Sequence, residues 1–347
     1  MNVLDPFDLP ERFADVAALE EFLSRPSQAL VDDLRRLDGD LLILGVGGKM
    51  GPTLARMAKR AAPEKRIIGV ARFGEAGLRE KLEGWGIETI TCDLLDRDAV
   101  AALPRLVNVV FMAGRKFGSS GAEELTWAMN TWVPSVVAES FPQARTVAFS
   151  TGNVYPFAPV AGPAPTEATA PGAASGEYGI SCLGRERMFQ YFSGVHGTPG
   201  RLIRLNYAVE MRYGVLHDVA ARVWSGAPIE LAMGYVNVIW QGDANAQALR
   251  ALLHCTTPTT PLNVSGLERL SIRELAGAFG ARFGRRPAFA GEEAETALLT
   301  DASQAARLFG PPLVPLERAI AWTADWIERG MPTLSKPTHY DARDGKF

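Results

Sequence analysis

Three cysteines and four histidines are all that this chain of 347 residues contains. Cys92, Cys182 and Cys255 are odd in number, far apart and without a C-x-x-C pair. That argues against a disulfide framework or a cysteine zinc site and fits a reducing, cytoplasmic setting. His196, His217, His254 and His339 are scattered, so no metal centre is expected. Neither sign of charge dominates: the net charge is −3, which leaves no footprint for a nucleic acid or an acidic membrane surface. No run of about 18 apolar residues occurs, so no membrane span is expected. The opening MNVLDPFDLP lacks the pattern of a signal peptide. Hydrophobic residues make up 47% and charged residues 22%, as in globular proteins, and the length allows one large core or two modest ones.

The most informative stretch is 41–51, Leu-Leu-Ile-Leu-Gly-Val-Gly-Gly-Lys-Met-Gly. Four apolar residues read as a buried strand, and Gly45, Gly48 and Gly51 follow before a helical pattern at Leu54, Met57 and Ala58. A strand that feeds a glycine turn into a helix N-terminus aims free N–H groups and the positive end of the helix dipole at an anion such as a pyrophosphate. The spacing is G-x-x-G-x-x-G. The G-x-G-x-x-G pattern would need glycine where Met50 stands, and a P-loop would need Ser or Thr after Lys49. The spacing alone is weak; the strand–turn–helix context carries the reading, against a plain glycine-rich connection.

Further along, apolar strands alternate with helical stretches. Strands are expected at 66–71, 87–92, 107–113, 145–149 and 201–205, and helices at 76–84, 97–103, 123–140 and 177–195. Such alternation predicts a doubly wound parallel α/β sheet with right-handed crossovers. Before it, residues 16–37 show helical periodicity broken near Pro26 and read as an N-terminal flap. The Pro/Ala/Gly-rich stretch 156–176 reads as a surface loop over the sheet's C-terminal edge, where ligands sit in this architecture. Beyond residue 205 the pattern is mixed, with strands near 229–232, 235–240 and 263–264 and helices at 215–225, 243–254, 271–284, 301–308 and 316–329. The expected organisation is an extension 1–39, a dinucleotide-binding domain 40–205, a smaller substrate lobe 206–330 interleaved with it, and a tail 331–347 whose packing the sequence leaves open.

Several landmarks fall in order: the glycine turn, Asp93 after the third strand, Met112-Ala113-Gly114 after the fourth, and Asn130 in the next helix. Ser150-Thr151-Gly152-Asn153-Val154-Tyr155 and Tyr178-Gly179-Ile180-Ser181 follow. Together they resemble the extended short-chain dehydrogenase/reductase superfamily, in its NAD-dependent epimerase/dehydratase group, over roughly residues 40–330. The resemblance implies a Rossmann-type domain with a smaller mixed C-terminal substrate lobe. It also implies an NAD(P)-dependent oxidoreductase or epimerase/dehydratase acting on a sugar, sugar acid or nucleotide sugar. Gly45, Gly48, Lys49, Met50, Gly51, Ala113 and Gly114 would line the cofactor, with Asp93 and Leu94 at the adenine; Asp93 also reads as a helix N-cap. No acid stands at the end of strand two. Arg72 there would pair with a 2′-phosphate, with Lys49 helping, which favours NADP, unless Arg72 is a solvated loop charge.

By the same resemblance Tyr178 exchanges a proton with the substrate and also touches the cofactor, while Thr151, with Ser150 beside it, hydrogen-bonds the reacting oxygen. The family's lysine four residues after the tyrosine is here Cys182. A free phenol has a pKa near ~10 and needs a cation to act as a base at neutral pH. Three readings compete. Another cation substitutes, from Lys116, Arg115 or Arg185; or the protein binds a dinucleotide but has lost catalysis, as a binding or redox-sensing protein; or Cys182 itself reacts. Arg115 and Lys116 are placed to hold a substrate carboxylate or phosphate, and Asn153 and Asn206 to contact substrate. Asn237 and Trp240 are expected at the lobe interface. The helices 123–140 and 177–195 would pair in a homodimer through Leu125, Ala128, Val133, Val136, Val137, Leu183, Met188, Phe189 and Phe192.

Overall fold

The computed structural model describes residues 3–116, 118, 121–172, 176–335 and 338–345. Parts of the expected loop 156–176 and of the tail lie outside them. Seven strands form the central sheet: β1 (Leu41–Leu44), β2 (Ile67–Ala71), β3 (Glu88–Thr91), β4 (Asn108–Phe111), β5 (Arg145–Thr151), β6 (Gly200–Leu205) and β7 (Thr260–Val264). Their order is β7-β6-β5-β4-β1-β2-β3, and every pairing is parallel. The order reverses between β1 and β4, where Leu44 lies beside Phe111. At that switch point the crossovers leave in opposite directions and open a crevice at the strands' C-terminal ends. The seventh strand, Thr260–Val264, takes in the stretch 263–264 that the sequence reading placed as a short strand beyond the main sheet. Its register on β6 runs from Thr260 opposite Arg201 to Val264 opposite Leu205.

Burial on both faces goes with continuous apolar runs in β1 and in Val109–Phe111 of β4, as parallel sheets require. On one face pack α2 (Gln28–Arg36), α3 (Gly51–Ala61), α4 (Leu78–Gly84), α10 (Gln241–Arg250) and α12 (Ser303–Phe309); on the other α5 (Arg97–Ala101), α7 (Val133–Ser140) and α8 (Gly176–His196). The N-terminal segment is therefore part of the core. Ser27 caps α2 by accepting from the Leu30 N–H, and Leu30, Val31 and Leu34 pack under the sheet. The helix before it, α1 (Val16–Leu23), places Phe22 against Trp240 and Trp322.

The expected helix 123–140 is not continuous. It runs as α6 (Glu123–Trp127), a π-helical turn (Ala128–Trp132) and then α7. Pro134 has no N–H to give to the carbonyl of Asn130, and the Val133 N–H reaches back five residues to Ala128. The widened turn sets Asn130, fully buried, beneath the loop after β4. The faces also differ from expectation: Val133, Val136, Val137 and Phe189 pack onto the sheet. Leu125 faces outward as expected, and Trp127, Trp132, Ile180, Tyr191 and Val195 join it on the outer surface of these helices.

The second lobe is built on α9 (Val215–Ser225), α11 (Ile272–Phe283) and α13 (Leu316–Glu328) around Val219, Leu275, Phe279 and Ile320. The expected strand 235–240 splits in two. Tyr235–Val236 pairs with Leu270–Ser271, and Ile239–Trp240 with Ala208–Val209. The tail crosses this lobe as an arm: Tyr340 is buried in its core, Thr338 is held by Asp218, and Arg343 donates to the Thr296 carbonyl.

Candidate active site

A cleft of about 770 Å³ opens over the switch point, with the glycine turn at one end and Tyr178 at the other. The glycines divide by task. Gly45 has φ +87°, and a Cβ there would stand 2.6 Å from the Ala113 nitrogen; one on Gly51 would collide with the carbonyl oxygen of Val46. Those two are needed by the chain itself, to bring β1 against the β4 loop and to seat α3. Gly48 is different. It is exposed in the cleft, and a Cβ there would meet nothing nearer than the Gly45 carbonyl at 3.6 Å. Its missing side chain keeps the cleft floor open at the N-terminus of α3. Beside it the N–H groups of Lys49 and Met50 have no acceptor among the described residues. This floor fits a dinucleotide pyrophosphate, which would take those N–H groups. Gly51→Ala is expected to prevent folding or cost several kcal/mol, on the order of 3. Gly48→Ala should fold normally and lose about tenfold in dinucleotide affinity; thermal melting and a binding titration separate the two.

Just after β2 Arg72 is exposed, lines the cleft and has no side-chain partner among the described residues. Lys49 does not join it. Its ammonium crosses to the second lobe, 3.7 Å from the Tyr213 ring centre and 3.5 Å from the Ala208 carbonyl. The expected help with a 2′-phosphate is therefore not its geometry here. Asp93 is exposed after β3 and accepts from the Leu95 N–H, while Asp96 is the cap of α5. The N-cap reading of Asp93 thus belongs to Asp96. Leu94 is buried in the core, and neither it nor Asp93 lines the cleft.

At the other end β5 and α8 bring Thr151 and Tyr178 together. The phenol of Tyr178 shares hydrogen bonds with the Thr151 hydroxyl and the Cys182 thiol. Burial is the main cause that raises its pKa; the neighbouring Cys182 adds to this, and the Arg185 cation opposes it. Cys182 is fully buried among Val154 and Tyr155, and burial pushes its thiol up as well, so Cys182 is a poor nucleophile. Lys116, from the loop after β4, stands with its ammonium 5.9 Å from the Tyr178 ring centre and donates to the Thr338 carbonyl at 3.2 Å. Burial lowers its pKa to about 8. Asn130 locks this loop: its Oδ1 accepts from the Arg115 N–H and from Arg185 Nη2, and its Nδ2 donates to the Arg115 carbonyl and to Ser181.

Two expected site residues are turned elsewhere. Ser150 donates to Glu186 at 2.6 Å, and Glu186 is held by Arg204 in a buried ion pair, so its hydroxyl is committed to the core. Arg115 bends back to the Gly118 carbonyl and does not line the cleft. Asn153 and Asn206 do line it; Asn153 is tied to Thr151, and Asn206 donates weakly to the Leu298 carbonyl. Among the described residues no cluster of three His, Cys, Asp or Glu side chains could hold a metal ion.

The family model described as "NAD dependent epimerase/dehydratase family" matches residues 41–231, more than half of the chain. The chain belongs to this family. Solved structures agree on the fold. The UDP-glucose 4-epimerase of Thermus thermophilus, in complex with NAD, is 19% identical. The match has a TM-score of 0.68 and covers 83% of this chain and 99% of that one. The UDP-glucuronic acid 4-epimerase of Bacillus cereus is 18% identical, with a TM-score of 0.70 over 84% of this chain and 99% of that one. An epimerase of Methanothermobacter thermautotrophicus is 17% identical, with a TM-score of 0.69 over 87% and 96%. No curated protein sequence matches.

In this epimerase/dehydratase chain, residues outside the sequence landmarks complete the cleft. Glu20 of α1 reaches its rim, accepting from Arg212 at 3.0 Å and from Lys81 at 2.6 Å, and so ties the two lobes. Tyr207, Tyr213, Leu334 and Thr338 form the far wall. Tyr207 has φ +45°, a left-handed conformation that costs energy for a residue with a side chain. It follows Arg204-Leu205-Asn206, so its position was visible in the sequence. Nothing local marked Glu20, Leu334 or Thr338.

Proposed function

We propose that this family member is an NAD(P)-dependent oxidoreductase or epimerase/dehydratase that acts on a sugar, sugar acid or nucleotide sugar, with Tyr178 exchanging the proton. One observation carries the reading: the Tyr178–Thr151 hydroxyl pair stands in the cleft whose other end is the glycine turn. The Thermus thermophilus relative was solved with NAD, and the Bacillus cereus one with a fluorinated UDP-glucuronic acid and NAD. A bound dinucleotide supplies the hydride acceptor. The chain's own part is to orient and to move a proton. Thr151 holds the substrate oxygen next to the phenol, and Tyr178 gives or takes the proton there. Lys116 provides the positive charge that position 182 does not. Its ammonium favours the phenolate when substrate draws the groups together.

A second reading, a degenerate dinucleotide-binding or redox-sensing protein, draws on the upward shift of Tyr178, which disfavours its action as a base. Titrating the protein with NADH and NADPH, then assaying hydride exchange with a panel of keto-sugars, decides between the two. Binding with exchange supports the enzyme, and binding without exchange supports the degenerate protein. Arg72 favours NADPH; Arg72→Glu should then reverse the preference by at least tenfold, since an acid there repels the 2′-phosphate.

The exposed Trp127, Trp132, Ile180 and Tyr191 on α6, the π turn and α8 support a homodimer joined through these helices. Sedimentation of Trp132→Glu as a monomer beside a wild-type dimer would bear this out. No helix among the described residues is long and apolar enough to cross a membrane, and the free cysteines suit the cytoplasmic setting we assign.

A further inference from the structure

Three elements around the cleft converge on one carboxylate. Glu20 stands on α1, Lys81 on α4 and Arg212 in the segment that leads into the second lobe, and all three side chains line the cleft. Glu20 accepts from the Lys81 ammonium at 2.6 Å through Oε2 and from Arg212 Nη1 at 3.0 Å through Oε1. An ionic bridge therefore runs from the wall that follows β2 to the second lobe. Its two supports differ. Arg212 is held from behind by the fully buried Glu210, which takes its backbone N–H at 2.8 Å and its Nε at 3.0 Å. The Arg212 side chain is 10% exposed, whereas that of Lys81 is 38% exposed. The helix that carries Glu20 is itself fixed across the seam between the lobes. Glu21 pairs with Arg60 of α3 at 2.9 Å, and Phe22 packs against Trp322 of α13 with ring centres 5.3 Å apart. The bridge thus has a rigid post on the second-lobe side and one solvent-exposed joint, between Glu20 and Lys81. Lys81 and Arg212 lie within the residues that the family model matches, and Glu20 lies outside them.

We propose that the N-terminal extension gates the dinucleotide: Glu20 bridges the cleft, and its pair with Lys81 breaks and re-forms each time a dinucleotide enters or leaves. This rests on the reading of the cleft as the dinucleotide site. The bridge is made entirely by the chain's own side chains, so it closes over an empty and a filled cleft alike. An interaction of equal strength in both states shifts no binding equilibrium. It raises the barrier to entry and the barrier to release together. Glu20 therefore sets how fast the dinucleotide exchanges and leaves how tightly it is held almost untouched. Loosening a half-exposed pair of this kind is worth about fivefold in rate, the upper end for ion pairs in contact with water.

Stopped-flow fluorescence on the whole protein reads both rates, with NADH and NADPH as probes and release followed by a chase with excess NAD or NADP. Glu20→Gln keeps the side chain's shape and removes its charge. For whichever dinucleotide the wild type binds, association and release should both rise about fivefold in Glu20→Gln, with Kd within about twofold of wild type. Glu20→Asp keeps the charge but is one methylene short of spanning both cations, so it should speed both rates by about threefold. Unchanged rates in the two variants overturn the gate. So does a faster exchange in Glu20→Gln alone, because the effect would then be that of a negative charge on an anionic ligand. A change in Kd carried by release alone also overturns it, since Glu20 or the cations it holds would then contact the bound dinucleotide. Failure of both NADH and NADPH to bind the wild type overturns the functional reading and the gate together, whereas binding at rates that the variants do not alter overturns the gate alone.

Discussion

Tyr178→Phe is expected to lower turnover by about 10³-fold while dinucleotide affinity stays within about twofold. The phenol's oxygen is the group shared with Thr151, and the ring remains to line the cleft, so the variant removes proton exchange and little else. Steady-state rates beside a dinucleotide titration check it. The reaction should depend on pH as well. The wild-type phenol is pushed up by burial, so oxidation of substrate should accelerate as pH rises through the alkaline range. Cys182→Lys places an ammonium one helical turn from Tyr178, lowers the phenol's pKa and should move that acceleration to lower pH. A profile that stays in place would remove Tyr178 as the base. Turnover that appears only in Cys182→Lys would make the natural protein the degenerate one.

Arg204→Met should cost about 3–5 kcal/mol of stability, the largest loss expected from any single side chain near the site. Arg204 and Glu186 are both buried, joined at 2.9 and 2.6 Å, and Arg204 also donates to Tyr155 at 2.7 Å. Removing the guanidinium leaves the Glu186 carboxylate with Ser150 as its remaining side-chain donor in a dry interior. Replacing the pair together, as Arg204→Met with Glu186→Leu, should recover much of the loss, because no charge is then stranded. Urea unfolding of the three proteins measures this. An Arg204→Met protein within about 1 kcal/mol of wild type would mean that water reaches the pair.

What could be read from the sequence was whatever depends on short-range backbone demand. Gly45 and Gly51 are glycines because the turn leaves no room for a Cβ, and β1 and Val109–Phe111 of β4 are apolar because both faces are covered. The order of the strands' ends then placed Thr151 and Tyr178 in one cleft although 26 residues separate them. Side-chain direction was not legible. Ser150 looked as available as Thr151 until Glu186, 36 positions on, claimed it. Arg115 and Lys116 are adjacent, yet one folds back on its own loop and the other crosses to the tail. Lys49 was read toward Arg72 and lies instead on Tyr213, a contact across the lobes. The contributions of Glu20 and Thr338 depend on partners more than 100 residues away, Arg212 and Lys116. Pro134 stands in plain view in the sequence, but its effect, the π turn that seats Asn130, needed the surrounding helix to be built.

Hydride transfer that depends on Tyr178 is tested most directly by following a label. The wild-type protein is incubated with NADH or NADPH deuterated at nicotinamide C4 and a panel of keto-sugars and their acids, and the sugars are analysed by mass spectrometry. Deuterium is expected on a sugar carbon with the wild type and about 10³-fold less of it with Tyr178→Phe. Tight binding of the labelled dinucleotide with no transfer to any sugar, or equal transfer by both proteins, would contradict it.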